Sequence, residues 1–219
     1  QDRARDVYSA ALAEYPDAPG LVMGLGWLDW GQGNNQACYD LFTRALELAP
    51  SAEAMAGMAG CGRMGDLMTV QEAQTLLEQA LFIAPEYPWA TRELGFVKLD
   101  LLDFEGALPY AVKAIELEPN NQSSHYLMYR VQYELADYEQ ALNAISTVIE
   151  INPEVGSYYW RRAEVLLMLN RPRMASLDAQ RAIDADPQDI DAHVMLARAQ
   201  DALGRKSDAI QTLLPLAED

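Results

Sequence analysis

The stretch NNQSSHYLMYRVQYELADYEQALNAISTVIEINP, residues 120–153, decides the fold. It closes on Pro153, and counting back from that proline finds Val148, then Ile145, then Ala141. Their spacings put all three side chains on one face of a single helix. Pro153 stands just past the end of that helix, where its missing N–H and its clash with the preceding turn prevent continuation.

The same proline recurs on either side. Pro16, Pro50, Pro85, Pro119, Pro153 and Pro187 follow one another at intervals of 34, 35, 34, 34 and 34 residues. A fixed period of this size marks a solenoid, in which each unit buries its apolar face against its neighbours. The Ala141 column reads Ala4, Cys38, Ala73, Ala107, Ala141, Ala175 and Ala209; small residues throughout imply close helix crossings. The Val148 column reads Ala11, Ala45, Ala80, Ala114, Val148, Ala182 and Leu216, and the bulkier Ile145 column Tyr8, Phe42, Leu77, Ala111, Ile145, Ala179 and Leu213. The first half of each unit carries another helix with its own column: Gly26, Gly60, Gly95, Tyr129, Ala163 and Ala197.

At these residues the chain resembles the tetratricopeptide repeat (TPR) family. Leu25, Leu94 and Leu196 directly precede small residues of the first-helix column. The stretches Leu102-Asp-Phe-Glu-Gly-Ala107-Leu and Ala136-Asp-Tyr-Glu-Gln-Ala141-Leu match the family's inter-helix turn. The resemblance implies an all-α solenoid of antiparallel helix pairs in a right-handed superhelix. One solenoid is expected over residues 1–219, with a half repeat at 2–15 and repeats at 19–50, 53–85, 88–119, 122–153, 156–187 and 190–218.

Composition excludes several function classes. A formal net charge of −17 opposes sequence-independent affinity for nucleic acid, which comes from Lys and Arg on phosphates, and opposes binding to an anionic membrane surface. No apolar run approaches the roughly 18 residues of a membrane span. Gln1 opens almost directly into a helix, which reads as a fragment or a processed product. The compartment is left open. Two cysteines are no disulfide framework; Cys38 in an alanine column reads as a small core residue, and a Cys38–Cys61 bridge stays open without support.

The second repeat is irregular. Its helices keep register with Pro50 and Pro85 only if one extra residue lies between about 61 and 69. Thr69-Val-Gln-Glu72 reads as a capping box. Gly57, Gly60, Gly62 and Gly65 cluster in or after its first helix, ringed by Met55, Met58, Met64 and Met68. Elsewhere, Asp103 and Asp137 stand at N-cap positions, Pro172 fits a first helical turn, and Pro215 interrupts the last helix.

No constellation carries catalysis, and no cofactor is implied. His125 and His193 occupy the same place in their repeats and read as packing residues; neither has a Cys, His or carboxylate at metal-ligand spacing. What remains is a groove. In the family the first helices line the concave surface, and the implied stripe holds Met23, Trp27, Trp30, Gly57, Cys61, Trp89, Arg92, Phe96, Tyr126, Arg130, Tyr133 and Trp160. All four tryptophans of the chain fall on it. The family's Lys/Asn/Arg clamp for a C-terminal carboxylate is absent, since the equivalent stripes hold Met23 and Trp27, then Gly57, then Trp89 with Glu93.

The expected function is a non-catalytic scaffold that holds a peptide or helix of a partner protein, with Arg92 and Arg130 as polar anchors. A recess with aromatic walls is expected over Gly57, provided the walls do not lean in and fill it. Two alternatives remain: a regulatory or targeting segment of a larger enzyme, and a groove for a small molecule. Uncovered apolar surface at Leu213, Leu214 and Leu216 points to end-to-end self-association.

Overall fold

A computed structural model describes residues 2–217, and among them it holds thirteen α-helices and no strand. A lone helix, α1 (Asp2–Glu14), precedes six antiparallel pairs. These are α2 (Pro19–Trp30) with α3 (Asn35–Leu48), α4 (Ala52–Met64) with α5 (Val70–Ile83), and α6 (Pro88–Asp100) with α7 (Phe104–Leu117). Then follow α8 (Gln122–Glu134) with α9 (Tyr138–Ile151), α10 (Gly156–Met168) with α11 (Pro172–Ala185), and α12 (Ile190–Ala202) with α13 (Lys206–Leu213). A short 3₁₀ turn, Leu214–Ala217, follows Leu213, so Pro215 ends the regular helix as expected.

The chain gathers into two compact units, one up to Leu117 and one from Glu118 onward. Within the first, each helix packs on the next from α1 to α7, and α4 lies beside both α2 and α6. Within the second, consecutive helices pack from α8 to α13, and α10 lies beside α12.

The small columns are the cores. Cys38, Ala73, Ala107, Ala141 and Ala175 are fully buried, as are Ala45, Ala80, Val148 and Ala182. The first-helix column, from Gly26 to Ala197, is buried at every position. Burial fails only at the ends of the array: Ala4 and Leu213 are exposed, and Leu214 is 53% exposed.

One turn geometry closes every pair. A single residue adopts the left-handed conformation in each: Gly33, Asp66, Leu102, Ala136, Asn170 and Gly204, with φ from 54° to 77°. The following N–H reaches back to the last helical turn, as in Asp103 to Lys98, Asp137 to Gln132 and Arg171 to Leu166. These are Schellman closures, which satisfy carbonyls that the ending helix would leave bare. Asp103 and Asp137 then cap the next helix through the N–H groups of Gly106 and Gln140. The turn of the second repeat spans residues 65–69, two longer than 101–103 or 135–137: one is the extra residue, and the other arises because α4 starts two residues after its proline where α6 and α8 start three. Thr69 and Glu72 form the full capping box that starts α5.

The histidines brace neighbouring helices. His125 Nε2 lies 2.8 Å from the Pro119 carbonyl oxygen and His193 Nε2 lies 3.1 Å from that of Pro187. Tyr159, at the same repeat position, donates to the Pro153 carbonyl at 3.0 Å. A polar ring there satisfies the carbonyl of the proline that ends the preceding helix, where no helical N–H can follow.

Candidate functional site

In the first unit the site residues sit on α2, α4 and α6. The ring of Phe42 enters from α3 between the backbones of α2 and α4, and a Cβ added to Gly26 or Gly57 would come within 2.8 or 2.4 Å of it. Glycine is required at both because the aromatic ring takes the space of a side chain. Trp27 meets Phe42 edge-on at 4.8 Å between centroids, and Trp89 reaches across α4 from α6 to lie 5.1 Å from Trp27 and 5.3 Å from Trp30. Trp89 passes directly over Gly60. The Trp27 Nε1–H donates to Glu53 at 2.7 Å.

The walls therefore do lean in, and the recess expected over Gly57 is filled. Gly57 and Cys61 are buried beneath the rings, whereas Met23, Trp27, Trp30, Trp89 and Phe96 are half-buried. Cys61 is joined to Cys38 in a disulfide with a Cα–Cα distance of 5.8 Å, so the bridge that the sequence left open is formed. It ties α3 to α4 across the boundary between repeats.

Arg92 is buried, with its guanidinium 5.9 Å from the Trp89 ring centroid. Beside it, Arg63 bonds both Glu93 at 3.0 Å and Asp100 at 2.8 Å. Burial pushes the Glu93 carboxyl above the ordinary range, opposed by the Arg63 charge. This network crosses from α4 to α6 and fixes their register.

The second unit holds a different arrangement. Tyr126, Tyr129 and Tyr133 run along α8, with centroid separations of 5.6 and 6.1 Å. Tyr158 and Tyr138 extend the run from either end, at 6.0 and 5.7 Å. Tyr129 occupies the small-residue column yet is 2% exposed, so its ring substitutes for the close crossing used elsewhere. Tyr126, Arg130, Tyr133 and Trp160 are half-buried, and Trp160 Nε1 is buried without an acceptor among the described residues. Burial raises the phenol of Tyr133 to about 12, with the Glu164 charge acting in the same sense. Burial also raises the phenols of Tyr129 and Tyr158. All three stay neutral hydrogen-bonding groups at physiological pH.

Arg161 was not legible as a site residue. Its guanidinium stacks 4.3 Å from the Trp160 centroid and 5.6 Å from that of Tyr126. The signal was its place next to Trp160, one position off the stripe. Arg198 lies 3.9 Å from Glu164, while Arg130 has no carboxylate partner among the described residues. Arg162 has a structural role, gripping the buried Asp178 through two bonds of 2.7 and 2.9 Å that join α10 to α11.

Comparisons with known proteins bear on both units. Models of the tetratricopeptide repeat match residues 2–62, 98–164 and 166–219. Among solved structures, PilF of Pseudomonas aeruginosa superposes with a TM-score of 0.75 over 99% of this chain and 92% of its own, at 19% identity. YrrB, described as a TPR protein with an unusual peptide-binding site, gives 0.61 over 84% and 95% at 21% identity. The thermophilic TPR protein TTC0263 of Thermus thermophilus gives 0.66 over 85% and 99% at 22% identity. DnaJ homolog subfamily C member 7 of Homo sapiens is 32% identical over 80 residues, 36% of this chain; the match spans 16% of that relative's length.

Proposed function

This chain belongs to the tetratricopeptide repeat family, and from that premise we propose that it is a non-catalytic scaffold whose first helices hold a peptide or helix of a partner protein. Its repeats support a role in protein–protein interaction. The observation that carries the finer reading lies in the second unit. There the half-buried rings of Tyr126 and Tyr133 on α8 flank in sequence Arg130, which lacks a carboxylate partner among the described residues, and Arg161 is held by stacking. Interaction surfaces are enriched in Tyr, Trp and Arg because rigid rings give large contact area at low entropic cost. Neutral phenols can hydrogen-bond a backbone while the arginines take a carboxylate or carbonyl.

In the first unit Met23, Trp27, Trp30, Trp89 and Phe96 offer ring and chain edges to a partner, with Arg92 behind them; Gly57 and Cys61 act from beneath by setting where those rings lie. The partner-facing surface assigned to the second unit is Tyr126, Arg130, Tyr133 and Trp160, with Arg161 added.

The test is affinity capture of partners on the protein, followed by titration of the captured partner against Tyr126→Ala/Tyr133→Ala and Arg130→Ala variants. Truncating a central ring costs about 2 kcal/mol or more, so affinity should fall at least about tenfold in each. Undiminished affinity in variants that keep their helical circular dichroism overturns the reading.

A further inference from the structure

The second repeat breaks a charge pattern on the second helices. Three residues before the repeat prolines from Pro50 to Pro187 stand Glu47, Phe82, Glu116, Glu150 and Asp184, and six before stand Arg44, Gln79, Lys113, Thr147 and Arg181; the lone helix α1 before Pro16 has Ala13 and Ala10 there. The third repeat closes this as a Lys113–Glu116 pair at 3.6 Å, an i,i+3 arrangement on the helix surface. Among the paired second helices that end at these prolines, only α5 lacks both charges together. Phe82 stands in place of the acid and is 89% exposed, with Ile83 next to it 56% exposed.

Two adjoining hollows open beside these residues. One, of about 350 Å³, is bounded by Tyr39 of α3, Met58 of α4, Leu67 and Met68 of the lengthened turn, and Leu76 of α5. The other, of about 450 Å³, is bounded by Met55 of α4 and by Phe82 and Ile83. Thr75 and Gln79 line both, so they form one trough along α5, with α4 methionines on its wall. Methionine adapts its shape to what it meets. Among the other second helices, α7 exposes Val112 singly, which needs no explanation; α11 exposes Met174 and Leu177 one turn apart, but the hollow at Leu177 is lined by Arg173 and Arg205, and α13 exposes Ile210 and Leu213 at the end of the array. Here the exposed ring, the trough and the loss of both charges coincide.

The charge of the trough selects its occupant. Glu72 lines one end and Glu78 the other, and neither hollow is lined by Lys or Arg. The Thr69 N–H and hydroxyl hold the Glu72 carboxylate in its charged form. From Glu72 to Phe82 the helix rises about 15 Å, the length of about three turns of a partner helix.

We propose that this trough is a second docking surface, for a basic amphipathic segment of a partner protein. Its apolar side chains enter the hollows beside Met58 and Phe82, and its Lys or Arg side chains lie over Glu72 and Glu78. The arrangement is helix-in-groove recognition, with anchors one helical turn apart.

Random peptides displayed on phage and selected on the immobilised protein test this, with counter-selection on a Phe82→Glu/Gln79→Arg variant that restores the charged pair. Both positions are exposed, so the variant should melt with the wild type. The expected peptides combine apolar and basic residues at helical spacing. They should bind the wild type at least tenfold more tightly than the variant, weaken as salt rises, and bind a Tyr126→Ala/Tyr133→Ala variant unchanged. A Leu67→Arg variant, which puts a cation at the trough's rim, should lose them as well. Peptides that are acidic, that bind wild type and variant alike, or that depend on Tyr126 and Tyr133 overturn the proposal. So does sedimentation showing a wild-type dimer that the variant abolishes, since the occupant is then a second copy of this chain.

Discussion

Removing the Cys38–Cys61 bridge should loosen one junction of the array far more than the rest. The cross-link joins residues 23 apart in sequence, and the loop-closure model gives such a bridge about 3 kcal/mol of stabilisation at 25 °C. The helix it secures needs it. α4 buries only small residues, among them Ala56, Gly57, Ala59, Gly60 and Gly62, and each interior glycine costs roughly 1 kcal/mol relative to Ala. Three such glycines offset the bridge almost fully. In a repeat array stability is nearly a sum of local terms, so the loss should appear first at α4 and its neighbours. Hydrogen exchange on the oxidised protein, the reduced protein and a Cys38→Ala/Cys61→Ala variant reads this directly. Amides of α4 should lose about two orders of magnitude of protection, while those of α8 and α9 change little. Urea unfolding followed by circular dichroism should show the earliest phase moving to lower urea in both altered forms. Equal protection of α4 in oxidised and reduced protein would refute the reasoning.

Three further outcomes follow from the turns, the glycines and two carboxylates, one buried and one exposed. Leu102→Gly and Ala136→Gly should each raise stability by about 0.5–1 kcal/mol, since a left-handed residue with a Cβ costs about 1–2 kcal/mol and the gain is only partly lost to unfolded-chain entropy; Leu102 is 74% exposed, so no packing is forfeited. A melting point that falls in both would contradict the turn assignment. Gly57→Leu should destabilise by about 3 kcal/mol or more, because its first carbon already lies 2.4 Å from the Phe42 ring; an unchanged melting point would show that the ring can move aside. For pH, the Glu93 carboxyl is raised from its reference of 4.5 by burial, so its folded form holds a proton that the unfolded form has lost, and its contribution falls as pH rises through that window. Glu72 is lowered from the same reference by the Thr69 N–H, so its contribution is present above 4.5 and is lost as pH falls. Melting curves from acid to neutral should show Glu93→Gln gaining on the wild type as pH rises, and Glu72→Gln losing; the same slope in both would be wrong for this pair.

The fold was legible because a solenoid writes its packing into the sequence once per repeat. The alanine and glycine columns name the crossings, and every internal column position is buried. The capping box at Thr69 and Glu72 and the caps at Asp103 and Asp137 were legible for the same local reason: each is settled within a few residues. What needed the structure depends on reach across helices. Nothing in the spacing of Trp89 says that its ring crosses α4 to meet Trp27 and Trp30, and nothing in the separation of Cys38 and Cys61 says that their backbones approach. The stripe picks residues by direction from the helix axis. It cannot tell a ring that faces a partner from one that folds over its neighbour.

The departures of the second repeat have one physical origin. Phe42 and Trp89 bring large rings to a crossing that other repeats fill with smaller groups, and the facing helix gives way by losing its side chains at Gly57 and Gly60. Volume is thereby conserved where helices meet, which a core demands. A helix reduced to glycine and alanine buries little apolar area of its own, and the Cys61 bridge ties that same face to α3, the helix that carries Phe42. With α4 so thin, Met55 and Met58 flank the space between α3 and α5, and the lengthened turn brings Leu67 and Met68 over it. The trough on the second-helix side is thus the counterpart of the ring cluster on the first-helix side: rings that fill one face of α4 leave the other face open.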